Sequence, residues 1–356
     1  MRVRVYLLYP FDLGLELDFR KTDIQNFIQQ VSHRTLTRIS FGQQIFSEGE
    51  ILINFYRFGV GLAQVSFIFD GDIRELADLS FSLENLRIGK TNVLSYLNSL
   101  TDGLIKQAQK FAVYRYEQRL TEEEIFPVFV LTEPPAENAA EFINKQQRVI
   151  FGILSGEKDY SAVSDFILNQ AQLTNFGYYG EEIILIKRFG ALVYSADSQL
   201  ILDIIKLALA QYWSLKSYNL IMDYELDEAQ QLLEKLPPYY KFWKMPFAYQ
   251  KFSEESLSFD RDKITILDSL YNVVGNIPAV ENDWHLKTLH ANVNKVFDLE
   301  ELHKMVETKI SRLEESYNSA RDYLSTNFFL LLDLIFFLSL AWSVLDTFLL
   351  WKVARK

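Results

Sequence analysis

The chain closes on a stretch that leaves little choice of structure. From Asp298 to Lys356 there is neither Pro nor Gly, so nothing in it stops a helix once begun. Its first half places Leu299, Leu302, Val306, Ile310, Leu313, Tyr317, Ala320 and Leu324 three or four residues apart, with charges between them. That is the apolar stripe of an amphipathic helix. From Phe328 to Trp351 the polar face disappears and the sequence reads FFLLLDLIFFLSLAWSVLDTFLLW, followed by Lys352, Arg355 and Lys356. The pattern predicts an amphipathic stalk over 298–327, a transmembrane segment over 328–351 and a basic tail over 352–356. The stripe of Leu302, Val306, Leu313, Ala320 and Leu324 is the expected coiled-coil seam for self-association.

Magnitudes support a span. A hydrocarbon core needs about 20 residues at 1.5 Å each. About sixteen Leu, Ile, Phe and Val residues at roughly −0.3 to −0.6 kcal/mol sum to about −5 to −10 kcal/mol. Asp333 and Asp346 oppose this by at most about 2.5 to 3.5 kcal/mol each, and only at the bilayer centre. Both lie nearer an end than the middle, so insertion wins by a modest margin. That margin favours an oligomer in which the two carboxylates face protein. A soluble helix buried in an oligomer accounts for them equally well. Trp342 is mid-span, whereas Trp351 followed by Lys352 has the character of an interfacial anchor.

The 356 residues suffice for two domains or for one domain with an extension. A formal net charge of −11 and a pI near 5.0 give no diffuse attraction to phosphate, and no Lys/Arg run supplies a local one, so no direct nucleic-acid binding is expected. The absence of cysteine removes disulfides, thiolate nucleophiles and cysteine metal sites. The opening RVRVYLLYP alternates like a strand and reads as neither a signal nor a transit peptide. The bulk of the protein is thus expected to stay where it is made, on the cytoplasmic side of a bacterial inner membrane or at an organellar inner membrane, with the tail inserted last. The basic residues after Trp351 then fall on the far side, against the positive-inside tendency.

Along the chain, Thr22-Asp23-Ile24-Gln25 fits a capping box opening a helix. Strand-like segments follow at Thr37–Phe46 and Ile51–Phe69, the second turning near Gly59 and Gly61. Helices are expected at Asp72–Leu79 and Thr91–Glu117, the latter capped by Thr91. FPVFVL reads as a strand. A helix at about Ala136–Lys145, a strand at RVIFGIL and a helix near Ala162–Gln172 come next, then a hairpin in EEIILIKRFGALVYS. The Glu182-Ile183 … Arg188-Phe189-Gly190 of that hairpin echoes Glu50-Ile51 … Arg57-Phe58-Gly59, a pattern open to two related halves or to two ordinary hairpins. From Ser198 a long helix runs to Pro237-Pro238. The aromatic run YYKFWKMPFAYQKF is a buried or partner-facing connector, and helices fill about Glu254–Val274 and Glu281–Phe297. The fold class is α+β: a mixed α/β head over 1–196, a helical domain over 197–297, then the stalk and span.

No catalytic constellation emerges. Ile88-Gly89-Lys90-Thr91 resembles the end of a phosphate-binding loop, but Glu84 stands where the motif needs Gly. His285 and His290 face about 140° apart on a helix and cannot share a metal. Glu300-x-x-His303 has a di-metal spacing in a single copy, where such sites need two. Adjacent glutamates at 181/182, 254/255, 300/301 and 314/315 read as solvated charges. No catalytic, cofactor-binding or metal-ligating residue is therefore expected.

Three blocks carry a resemblance: the hairpin INFYRFGVGLAQVSF, the helix ILDIIKLALAQYWSLKSYNLIMD, and the closing DWHLKTLHANVNKVFDLEELHKMVETKISRLEESYNSARDYLSTNFFLLLDLIFFL. In that order they resemble the required-for-meiotic-nuclear-division family, membrane-anchored proteins of bacteria, fungi and mitochondria. The resemblance implies two closing helices of which the last enters the membrane as a single span. It implies no enzymatic activity and no cofactor. Mitochondrial members are associated with holding the translation machinery at the inner membrane, which implies a protein partner of that kind. Together with the residues, it leads to a non-enzymatic, tail-anchored scaffold with the lipid bilayer and a second copy of itself as partners. The alternatives are an ion channel or transporter subunit, with Asp333 or Asp346 lining a pore, and an enzyme with its pocket in the head.

Overall fold

The computed structural model describes residues 1–36, 38–116, 118–171, 173–238, 241, 244–250, 252–254, 257, 266–267 and 283–355. They form two compact units, Met1–Leu220 with Ser269–His303, and Ile221–Asp268 with Lys304–Lys356.

The first unit is built on strand β1 (Arg2–Asp12), whose alternation puts Val3, Val5, Leu7, Tyr9 and Phe11 on one buried face. It pairs antiparallel with β6 (Val60–Asp70) along its whole length and with β10 (Phe126–Leu131) only as far as Leu8. Pro10 therefore falls where β1 has a neighbour on one side alone, a place that tolerates the missing N–H. Pro127 likewise precedes the three β10 residues that pair with β12 (Gly190–Tyr194). The remaining strands are β2 (Leu15–Leu17), β3 (His33–Thr35), β4 (Ile39–Phe41), β5 (Gln44–Phe55), β7 (Leu86–Ile88), β8 (Thr91–Asn92), β9 (Ala112–Arg115) and β11 (Ile183–Lys187). The sheet order is β11-β12-β10-β1-β6-β5-β4-β7-β8, with β3 also on β5 and β2 paired with β9 apart from it. Gly61 is required by packing, because a Cβ there would come within 2.2 Å of the Phe11 ring.

Helices cover both faces. One carries α1 (Thr22–Val31), α2 (Ile73–Phe81), α3 (Val93–Ala108), α4 (Ala139–Lys145) and α5 (Gln147–Ser155), which share a core with the odd-numbered residues of β1 and β6. A short α6 (Asp165–Gln170) follows. The first part of α7 (Ser198–Glu234) lies on the other face. There Ser214 donates to the Phe58 carbonyl, and Phe297 meets both Phe126 and Tyr212. Helix α8 (Trp284–Val296) completes this unit. By contact, the residues up to Leu220 and helix α8 group with the sheet-bearing unit.

Several local expectations are corrected. RVIFGIL is the helix α5, with Val149, Ile150, Ile153 and Leu154 buried on one side; a short apolar run does not separate strand from helix by pattern. Helix α3 stops at Ala108, and the residues expected to continue it turn into β9. Asn92, not Thr91, caps α3 by accepting the Ser95 amide. Gly89 (φ 65°) and Lys90 are the tight turn between β7 and β8, which disposes of the phosphate-loop likeness. Helix α1 begins at Thr22 itself, without a side-chain cap, whereas Asp72 and Glu75 make a complete capping box for α2. The two echoed hairpins differ in polarity: β6 returns antiparallel to β1, and β12 parallel to β10. A duplicated unit would have kept one polarity. Most of the helix expected over Glu254–Val274 and part of the aromatic connector lie outside the described residues.

Helix α9 (Leu299–Ala354) is continuous through stalk and apolar stretch, and from Lys304 onward it belongs to the second unit. Val306, Ile310, Leu313, Tyr317, Ala320 and Leu324 are buried. Phe252 packs on Tyr317, Tyr323 donates to the Pro237 carbonyl, and Lys309 pairs with Asp223.

Candidate membrane anchor and the polar cavities of the head

The structure separates the two halves of α9 by what surrounds them. Of the residues expected to form an intermolecular seam, Val306, Leu313, Ala320 and Leu324 are 0, 0, 2 and 0 % exposed within the chain itself, and Leu302 is half-buried. From Val306 onward the stripe is buried within the second unit of the same chain. The reason is its own amphipathicity, which any apolar neighbour satisfies.

Beyond Phe328 the reverse holds. The most apolar window of α9 is 0 % buried. Phe336, Phe337, Leu338 and Trp342 stand 61 to 72 % exposed. Such a continuous apolar surface in water is far larger than the patches soluble proteins tolerate. A long helix satisfies its own backbone and can enter hydrocarbon. Length, composition and exposure all fit a membrane anchor.

Asp333 and Asp346 are both exposed on this helix. Thirteen residues separate them, about 20 Å along the axis and about 140° around it. They are not brought together. Trp351 and Lys352 do share the far end, where Phe348 packs on Trp351 and the Arg355 guanidinium lies 4.2 Å over its ring. An aromatic ring topped by a cation suits a lipid–water boundary.

The head contains two polar cavities that sequence reasoning missed. One, of about 350 Å³, is lined by Tyr178, Tyr179, Glu182, Ser195, Trp284 and His285 among others. Glu182, read above as a solvated charge, is only 8 % exposed. It accepts the amides of Tyr178 and Tyr179 at 2.9 and 3.0 Å and the Ser195 hydroxyl at 2.5 Å. Burial pushes its carboxyl up, but Ser195, the two amides and the charge of His285 outweigh it and hold it below the usual carboxylate range. Asn175 pins the same loop, accepting from Gly177 and Ile184 and donating to the Glu182 carbonyl. The result is a rigid turn displaying two tyrosines. Asn175, Gly177 and Gly180 were the available turn signal.

The other cavity, about 180 Å³, sits at the end of β1 and includes Tyr9, Asp12, Asn98, Asp102, Arg119 and Glu123. Asp12 is 4 % exposed; its two oxygens accept the amides of Gly14 and Leu120, each at 2.8 Å. Burial nevertheless holds its carboxyl above the usual range, against those donors, Ser217 and Arg119. Tyr9 donates to Asn98, which donates on to Glu123 at 2.5 Å. Burial, with the charges of Glu123 and Asp102, pushes the Tyr9 phenol up to about 12. These groups hydrogen-bond one another and to the backbone, so the cavity wall joins remote segments of chain. Among the described residues no group of three or more His, Asp or Glu is placed to hold a metal.

No curated protein matches the chain, and no solved structure matches it. A family model does match, over residues 6–199, which is more than half the sequence and takes in nearly the whole of the sheet. The chain belongs to the family described as Uncharacterized protein MJ0711, N-terminal domain.

Proposed function

We propose that this protein is a non-enzymatic organiser tethered to a bilayer by the second half of α9, presenting its α/β head to protein partners beside the membrane. The observation that carries the reading is the apolar stretch after Phe328, unburied along its most apolar window and far more exposed than any core helix. A soluble role would leave that surface without an environment. The head supports the reading in its own way. Its buried carboxylates Asp12 and Glu182 are engaged in holding loops, the arrangement of a display scaffold.

The likeness of the closing blocks to the required-for-meiotic-nuclear-division family adds a partner class: the translation machinery, held at an inner membrane with the head in the compartment of synthesis.

The test is cross-linking and pull-down from native membranes, comparing the full chain with one truncated after Asn327. Loss of the partner set on truncation, together with retention of the full chain in carbonate-washed membranes, is the expected result. Full-length protein released with the soluble fraction would end the anchoring half of the reading. An unchanged partner set on truncation would end the organising half.

A further inference from the structure

Where the polar part of α9 gives way to the apolar part, a second segment of the same unit lies against it. Residues 245–250 are helical. Met245 is fully buried, while Phe247 is 78 % exposed, more than Trp342 (72 %) of the apolar stretch itself. Tyr249 stacks on Phe328, the first residue of that stretch, with ring centroids 6.1 Å apart and planes inclined by 18°. The chain on either side is tied to the stalk just before it, through Tyr323 to the Pro237 carbonyl and Phe252 to Tyr317. The segment is therefore fixed at the level of the helix where polar sequence turns apolar, and Lys244, exposed, precedes it.

We propose that residues 245–250 form an interfacial element that docks on the bilayer surface, with lipid as its occupant. Phe247 inserts its ring into the acyl boundary, Tyr249 sits at headgroup depth beside Phe328, and Lys244 faces anionic headgroups. Three observations select lipid. The segment is continuous with the apolar stretch through the Tyr249–Phe328 stack. Its residue types are those of a membrane–water boundary, an amphipathic aromatic with a cation. Its most exposed apolar side chain is a Phe directed away from the buried Met245, as in helices that lie in the interface plane. The element gives the anchor a second point of contact, so the stalk is held at a set depth and rotation. This inference rests on the reading of α9 as a membrane anchor.

The chain has no cysteine, so single-cysteine variants report one site each. Phe247→Cys, Leu338→Cys and Phe166→Cys full-length proteins would carry an environment-sensitive fluorophore in nanodiscs of phosphatidylcholine with a minority of phosphatidylglycerol. Phe166, 66 % exposed on the head, controls for the dye's own affinity for lipid. All three replaced side chains are exposed, so folding is preserved; circular dichroism checks it. Position 247 is expected to be quenched most by a shallow doxyl-lipid, position 338 most by a deep one, and position 166 by neither. Lipid quenching at 338 with position 247 behaving like 166 would overturn the interfacial element and leave the anchor standing. Shielding of 247 from an aqueous quencher without lipid quenching would mean a protein covers it, and would also overturn the proposal. Absence of lipid quenching at 338 would instead remove the anchor.

Discussion

The carboxylate of Asp12, on the last residue of the first strand, accepts the amide of Leu120 at 2.8 Å across 108 residues of chain. Its other oxygen takes the amide of Gly14. One buried side chain thus satisfies two backbone donors. Asp12→Ala is expected to strand both and to cost about 2–5 kcal/mol, while Asp12→Asn, keeping one acceptor, should lie between. Urea unfolding of the full chain in detergent, followed by circular dichroism, would show the order. Equal midpoints for all three proteins would refute the assignment.

Glu182 makes a pH prediction of definite sign. Its folded carboxyl lies below the ordinary range, so in the window between the folded value and the unfolded value of about 4.3 the unfolded loop binds more protons. The stabilisation is complete above that window and lost as pH falls through the folded value. Exchange of the Tyr178 and Tyr179 amides should therefore accelerate, beyond the intrinsic trend, on acidification below about pH 4. Glu182→Gln should show fast exchange at every pH. A flat wild-type protection factor down to pH 2 would contradict this. Asp12, whose carboxyl is raised, carries the opposite sign: its contribution is complete below its unfolded value and declines as pH rises through the folded one.

Leu313 is wholly buried within the second unit. Leu313→Ala should cost that unit about 2–5 kcal/mol and leave the oligomeric state of the detergent-solubilised protein unchanged. Limited proteolysis reads the first and light scattering the second. A stable variant with altered association would restore the stripe as an intermolecular seam.

The elements legible in the sequence were those whose signal is local. The β5–β6 turn at Gly59, the β11–β12 hairpin, the stop of α7 before Pro237-Pro238 and the uninterrupted α9 all follow from turn residues, proline and periodicity. What escaped depends on partners remote in sequence. RVIFGIL has the composition of a buried strand and becomes α5 because helices above the sheet can be equally apolar. Glu182 looks solvated beside Glu181 until Ser195 and two amides close around it. The stripe of α9 announces a buried face without saying whose residues bury it; here they come from the same chain. Asp12 lies in an alternating strand, and its role appears only once Leu120 has been brought alongside.

Asp333 and Asp346, about 140° apart around α9, cannot both rest on one flat neighbour. At least one of them meets lipid, headgroups or water unless α9 is surrounded. Each then opposes insertion by up to about 2.5–3.5 kcal/mol, less towards the ends. Replacing both by Leu should strengthen membrane retention, measured as the fraction surviving stepwise alkaline or urea washes. Leu338→Arg places a charge near the middle of the apolar stretch, adds about 3 kcal/mol of penalty and removes a favourable Leu. Set against a favourable sum of only about −5 to −10 kcal/mol, that change should release a measurable part of the protein. The two single aspartate variants separate depth from surroundings. If lipid depth alone sets the cost, the two variants gain alike, since each aspartate lies five residues from an end of the 328–351 stretch; if a protein neighbour satisfies one carboxylate, its replacement by Leu weakens retention instead. Unchanged retention in Leu338→Arg would show that this face of α9 is covered by protein or water.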